Sequence, residues 1–303
     1  MSSTTDSRAN ITKGLWIGLL GIVIFSVTLP MTRLAVGTAD APQMSGLFIA
    51  FGRAVVAAAL SAVFLIATRA PLPRRVDWWP LAVTAGGVVF GFPLLTSIAM
   101  RHVEAVHASV IVGVLPLATA AVGALLHRQR PSTGFWCCAA LGTLLVVCFA
   151  MLRSGRAGAL VISAADLLLL AAMLCAAVGY AFGARLSHSM RAEHVICWAL
   201  VCSLPLSLPM AAITLPTAPL KAAAWWGFAY VAVFSMWLGF FAWYRGLALG
   251  GTVRVSQVQL VQPFLSMLFA VPLLGERLDA VTIGFGVAVI ATVFIGKQMP
   301  VNR

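Results

Sequence analysis

Charge is what this chain has least of. Only 9% of its 303 residues are Asp, Glu, Lys or Arg, and only 8 of them are acidic. A water-soluble domain carries about 25% charged residues, so lipid must be the main solvent. The acids Asp6, Asp40, Asp77, Glu104, Asp166, Glu193, Glu276 and Asp279 all lie at the ends of apolar runs or in connections. A proton relay within the bilayer uses a buried acid or histidine. The lack of an acid inside any run therefore favours a facilitator or a weakly coupled carrier. Extracytoplasmic cysteine is missing too. Cys137, Cys138, Cys148, Cys175, Cys197 and Cys202 all fall inside apolar runs, which excludes a disulfide framework and leaves small core residues. The net charge of +12 sits in short connections. No basic, aromatic-interleaved surface exists, so nucleic acid is not an expected partner.

What the chain has instead is apolar length. It is 61% hydrophobic, with a mean hydropathy of +1.01. Each crossing of a bilayer needs roughly 20 apolar residues. Ten such spans are read at 14–34, 43–67, 78–99, 103–125, 132–152, 165–187, 194–214, 225–249, 252–272 and 278–297. Ser132, Asp166 and Asp279 are plausible helix caps. They leave no room for a soluble catalytic domain. The first run is too long for a signal peptide, although Ala39, Asp40 and Ala41 resemble a cleavage site. With both termini in the cytoplasm, 13 Lys and Arg fall inside and 6 outside, as the positive-inside rule requires.

The chain is also duplicated. Residues 78–130 and 225–277 superpose at a constant offset of 147 without a gap, and ten of the 53 positions are identical. Trp78 and Trp79 fall on Trp225 and Trp226, Ser109 on Ser256, Pro116 on Pro263 and Arg130 on Arg277. Five spans per half is an odd number, so the halves enter the membrane from opposite sides. The expected fold is an all-α integral membrane protein of ten helices. Residues 1–152 and 153–303 form two inverted five-helix repeats around a central cavity.

Several stretches resemble the drug/metabolite transporter superfamily, and bacterial EamA-type exporters in particular. They are Arg53 and Ala54; His107 to Ser109 running through Pro116 to Leu126; and Val255 to Pro263 leading to Leu274, Gly275, Glu276 and Arg277. The first half departs from the pattern, with His127, Arg128, Gln129 and Arg130 where Leu-Gly-Glu-Arg is expected. The resemblance implies a carrier of small metabolites in the bacterial inner membrane, with amino-acid export the favoured activity. It implies no cofactor. The partners are a small-molecule substrate and the lipid bilayer, and a monomer is plausible.

The polar residues of the spans supply candidate substrate contacts. On an α-helix, Ser256, Gln259, Gln262, Pro263 and Ser266 fall within about 120° of arc. Facing lipid, an unpaired amide would cost roughly 2–7 kcal/mol, so this stripe should face the bundle interior. The bland alternative is hydrogen bonding between helices. Span four repeats it faintly in Ser109, Pro116 and Thr119. Pro116 and Pro263 each remove a backbone donor and are hinge candidates, or else static kinks. Trp237 and Tyr244, seven apart, are read as an aromatic wall or as packing, with Tyr180 and Phe90 as weaker candidates. Arg53 is the one basic residue near mid-depth. It either draws a substrate carboxylate or satisfies loose carbonyls near Pro30. His107 and Arg254 occupy equivalent positions at span starts and could face an anion. Glu104 and His107 are too few for a metal site, and none is expected. Glu276 is read as a contact to Arg277 or to backbone. Glycine pairs at 14/18, 87/91 and 179/183 mark close helix contacts.

Two other function classes remain. An intramembrane enzyme needs a nucleophile with a base, but His107 and Ser109 face different sides of one helix and Ser266 has no histidine in its span. A non-transporting scaffold would not require polar groups at mid-span.

Overall fold

The computed structural model describes residues 2–126, 130–154, 163–187, 189–250, 255–298 and 301–302. It is helical apart from a two-residue antiparallel pairing of Arg130–Pro131 with Val301–Asn302. The helices are α1 (Ser2–Ser26), α2 (Thr28–Val36), α3 (Gly46–Ala67), α4 (Trp78–Thr84), α5 (Phe92–Ala99), α6 (Ala105–Val112) and α7 (Leu115–Leu126). They continue with α8 (Thr133–Ser154), α9 (Ala164–Leu186), α10 (Ala192–Ile213), α11 (Ala222–Tyr230), α12 (Gly239–Gly250), α13 (Gln262–Leu274) and α14 (Ala280–Gln298). Seven helical stretches among the described residues are long and apolar enough to cross a membrane. Three shorter apolar helices lie at Trp136–Leu145, Val258–Leu274 and Ala280–Thr292.

Helix starts follow local chemistry. Ser45 Oγ accepts the amide of Phe48 at 3.0 Å and opens α3. At α9 the cap is Ser163 rather than Asp166. Ser163 and Asp166 form a reciprocal capping box, with Asp166 at its third helical position. Asp279 accepts from the Thr282 amide at 2.7 Å and opens α14. The expected glycine faces are close contacts. A Cβ on Gly14 would lie 2.5 Å from the Gly250 nitrogen, and one on Gly87 would lie 2.4 Å from the Cys175 carbonyl oxygen. Such approach strengthens van der Waals packing where lipid provides no hydrophobic drive between helices.

Several membrane segments are not continuous α-helices. α4 and α5 are joined by a π-helical stretch, Ala85–Gly91. α11 and α12 are joined by another, Val231–Leu238. Segment α6–α7 is interrupted at Gly113 and Val114, just before Pro116. The segment ending in α13 begins as a 3-10 stretch, Ser256–Val261, just before Pro263. Both prolines therefore sit in the first turn of a restarted helix, where the missing N–H costs little. The stripe 256–266 is a 3-10 turn followed by an α-helix, not the single α-helical arc expected.

Contacts sort the connections into two ends of the bundle. At one end Arg33 donates to the Met100 carbonyl, Arg101 to the Met44 carbonyl at 2.6 Å and the Lys221 amide to Gln43 Oε1 at 3.0 Å. At the other, Arg74 pairs with Asp77 at 3.1 Å. Ser189 also donates to Asp77 at 3.1 Å, and Arg245 approaches Glu193 at 3.4 Å.

Candidate functional site

A small chamber of about 20 Å³ lies between α1, α2, α3, α5, α6, α7, α9, α12, α13 and both π segments. It has room for about one water. Its walls are mixed. Phe25, Phe92 and Phe240 supply aromatic surface, while Thr28, Arg53, Tyr180, Ser235 and Gln262 supply polar groups. Three pairs of its lining residues, Leu29/Ala176, Val88/Ser235 and Leu115/Gln262, are 147 positions apart. The last two pairs lie within the duplicated stretch, and the first keeps the same offset beyond it.

The broken helices place these groups. α1 ends at Ser26 and α2 begins at Thr28, so Thr28 turns into the bundle and shares a 2.9 Å hydrogen bond with Ser235. Ser235 reaches that point from the π segment, whose extra residue per turn re-aims side chains; π-bulges often mark functional sites. The Ile24 carbonyl, near the break, accepts from Tyr230 Oη at 2.9 Å.

Arg53 is the unusual member. It is 2% exposed, no acid is paired with it among the described residues, and its Nε has no hydrogen-bond partner. Among the described residues no carbonyl near Pro30 accepts a hydrogen bond from it. Tyr180 lines the same chamber and lies within electrostatic reach of the guanidinium. A charge held at mid-depth costs about 2.5–3.5 kcal/mol on the insertion scale.

A second, open cavity of about 770 Å³ lies at the Lys221 end. α2 links the two, with Leu29 on the chamber and Arg33 on this vestibule, four residues or about 6 Å of helical rise apart. Glu104, Lys221, Glu276, Arg277 and Asp279 also line it. Glu276 does not turn to Arg277. Its two oxygens accept the amides of Ala105 at 2.8 Å and Val106 at 2.7 Å, capping α6 from a segment 170 residues away. Gly275 makes that reach possible, because it closes α13 in the left-handed conformation at φ 69°, where a side chain would be strained. Burial pushes the Glu276 carboxyl above the usual glutamate range. Its two backbone hydrogen bonds and Arg33 oppose the shift, and Glu104 adds to it.

The chamber gathers Arg53, Tyr180 and Gln262 among the residues expected from sequence. Gln259 and Ser266 are buried nearby in sequence, and neither polar group has a partner among the described residues. Ser109 and Thr119 instead donate to carbonyls of their own helices, Ala105 and Leu115. Phe90 packs on Phe51 with ring centroids 5.7 Å apart. Trp237 and Tyr244 serve different neighbours. Trp237 stacks edge-on against Phe241 at 5.0 Å, and Tyr244 packs against Phe240 at 5.5 Å. Trp237 lies at the end of the π segment and Tyr244 in α12. The Ser256 side chain, Arg254 and residues 127–129 lie outside the described residues. Sequence reading missed Thr28 and Ser235. For Ser235 the signal is the offset itself, since it stands on Val88; Thr28 stands on Cys175, which does not line the chamber.

The expectation that no acid is buried is corrected here. Asp166 is fully buried, and its Oδ1 lies 2.6 Å from His107 Nε2. A helix N-terminus and its own capping box let an apparent loop acid sink into the bundle.

A bundle of membrane-length helices around a partly polar chamber, with no soluble domain among its described parts, has the architecture of a multi-pass membrane transporter. The chain belongs to the EamA-like transporter family, whose sequence pattern matches residues 12–151 and again 163–296, and so to the drug/metabolite transporter superfamily. It is 42% identical over 292 residues to the uncharacterized transporter YdeK of Bacillus subtilis (strain 168), covering 95% of this chain and 99% of that one. A solved crystal structure, 18% identical, aligns over 94% of this chain and 98% of its own with a TM-score of 0.62, which shows the shared fold.

Proposed function

We propose that this transporter carries small metabolites bearing a carboxylate, amino acids foremost, out across the bacterial cytoplasmic membrane by alternating access. The observation that carries the reading is Arg53, a buried guanidinium with no described acid partner beside Tyr180 and Gln262. A guanidinium binds a carboxylate through paired N–H donors. The tyrosine hydroxyl and glutamine amide supply groups for an ammonium and for orientation. Phe25, Phe92 and Phe240 leave an apolar wall for a side chain. Gln259 and Ser266 hold further unpaired polar atoms that an enlarged chamber would expose.

The chain acts as two inverted five-helix units, 1–152 and 153–303, with ten spans and both termini in the cytoplasm. Support comes from the double match to one family pattern, from the chamber pairs at offset 147, and from π segments at corresponding places, 85–91 and 231–238. Among the described residues, seven long apolar helices and three shorter ones are in keeping with ten crossings. The breaks before Pro116 and Pro263 serve as hinges. The aromatic surface also favours a second reading, transport of apolar drugs.

Flux of labelled amino acids in proteoliposomes tests this, run beside their decarboxylated amine analogues. Exchange of the acids and not of the amines is expected. Equal flux of both, or flux of lipophilic drugs alone, moves the assignment to the second reading.

A further inference from the structure

The first turn of α6 is tied down twice by groups from beyond residue 163. Glu276 caps its backbone, and His107 meets Asp166 at the start of α9. The His107 and Asp166 side chains are 8% and 0% exposed. We propose that His107 and Asp166 form a proton-binding site, and that through it the carrier is proton-coupled. The proposal rests on the carrier reading above.

Three features carry it. First, the pair holds a proton without rearrangement. Asp166 Oδ2 already accepts the Ser163 amide at 3.1 Å and its hydroxyl at 2.7 Å. With His107 Nε2–H on Oδ1, the carboxylate stays satisfied whether the ring is neutral or charged. The imidazole takes a proton from water on its second nitrogen and later returns it. Asp166 sits in the first turn of α9, at the positive end of the helix. Second, the ring's charge changes how tightly two helices are joined. A charge-assisted bond is roughly twice as strong as a neutral one. Histidine is the side chain that changes charge near neutral pH. Third, both helices wall the chamber. α6 carries Val112, five residues past His107, and α9 carries Ala176 and Tyr180. The segment breaks at Gly113 and Val114, between α6 and α7.

Glu276 reaches the same turn of α6 from after α13, and the vestibule at this end carries Arg33, Lys221 and Arg277 beside Glu104, Glu276 and Asp279. α8 lays Phe149 against the imidazole, with centroids 5.1 Å apart, and carries Cys148 beside it.

The test uses the full chain in proteoliposomes loaded with pyranine as the internal pH reporter, with the twenty labelled amino acids as probes. Protons moved per substrate is the quantity read, so a slower variant does not confuse it. The wild type should move protons with substrate. Under one pH unit of gradient it should hold up to about a tenfold substrate gradient if exchange is one for one. His107→Gln keeps a donor for Asp166 yet cannot take the proton, and its ratio should fall to background. Asp166→Asn should do the same. Substrate flux without protons in the wild type, or a wild-type ratio in His107→Gln, overturns the site. If no amino acid or drug moves at all, the carrier reading itself falls. The site is then decided on purified protein titrated from pH 8 to pH 6. Uptake of about one proton fewer by His107→Gln supports it, and equal uptake overturns it.

Discussion

Replacing Arg53 by methionine should stabilise the resting protein and disable it. The guanidinium is 2% exposed with no described acid partner, and holding it costs about 2.5–3.5 kcal/mol. Methionine keeps an unbranched, flexible stem, so the void it leaves costs about 1 kcal/mol. The net gain is about 2 kcal/mol. With a carboxylate bound the sign reverses. Truncating one member of a buried charged pair costs about 2–5 kcal/mol, a loss of affinity of at least about 30-fold. The assay is the thermal midpoint of the detergent-purified protein, with and without a transported amino acid, beside flux in proteoliposomes. The wild type should gain midpoint on adding ligand, because ligand binds only the folded state. Arg53→Met should start higher, gain nothing from ligand and carry no flux. Arg53→Lys, a point charge without the fork, should fall between. A lower midpoint for Arg53→Met without ligand, or wild-type flux from it, would show that Arg53 serves packing alone and would refute the reasoning.

Other consequences concern packing and pH. Gly183→Ala would put a Cβ 2.1 Å from Tyr244 Oη, and the ring is fully buried, so a loss of about 1–3 kcal/mol is expected in a chemical or thermal melt. Tyr244→Phe removes that oxygen, which has no partner among the described residues; alone it should be neutral or stabilising, and with Gly183→Ala it should restore part of the midpoint. Because Glu276 has a raised pKa, mainly through burial, the folded state binds its proton more readily than the unfolded chain does. Stability from this group is therefore fully present below the unfolded value near 4.5 and is lost as pH rises through the raised folded value. Melts across that interval should show a falling midpoint in the wild type and a flatter one in Glu276→Gln; identical slopes would contradict the assignment.

Much of this molecule could be read from the chain because lipid imposes simple rules. Apolar length marks spans, and a constant offset marks repetition. The buried stripe of Gln259, Gln262 and Ser266 was visible because an amide cannot face hydrocarbon cheaply. Helical phase was not visible where the helices depart from α geometry. Trp237 lies at the end of the π segment and Tyr244 in the α-helix that follows, and the 3-10 turn before Gln262 re-aims the stripe. Neither departure follows from propensity, since both depend on how neighbouring helices meet. Thr28 and Ser235 were missed for the same reason. The His107–Asp166 pair was hidden differently. Asp166 sits at a span start in sequence, and only the packing of α9 against α6 shows that the start is inside the bundle. Glu276 was read as a contact to Arg277 or to backbone; it makes the second, and its partner α6 could not be seen from local sequence.

The most direct test of the whole account is the sidedness of equivalent positions in the two proposed halves. Arg75 lies beside Asp77 at one end of the bundle, and Lys221 lies at the Gln43 end; the 147-residue offset takes Arg75 to Ala222, next to Lys221. Single cysteines at 75 and 221, in a background lacking the native six, would be labelled with a membrane-impermeant maleimide in intact cells and in inverted vesicles. The account predicts that 221 labels only from outside and 75 only from inside. Labelling of both from the same side would contradict it.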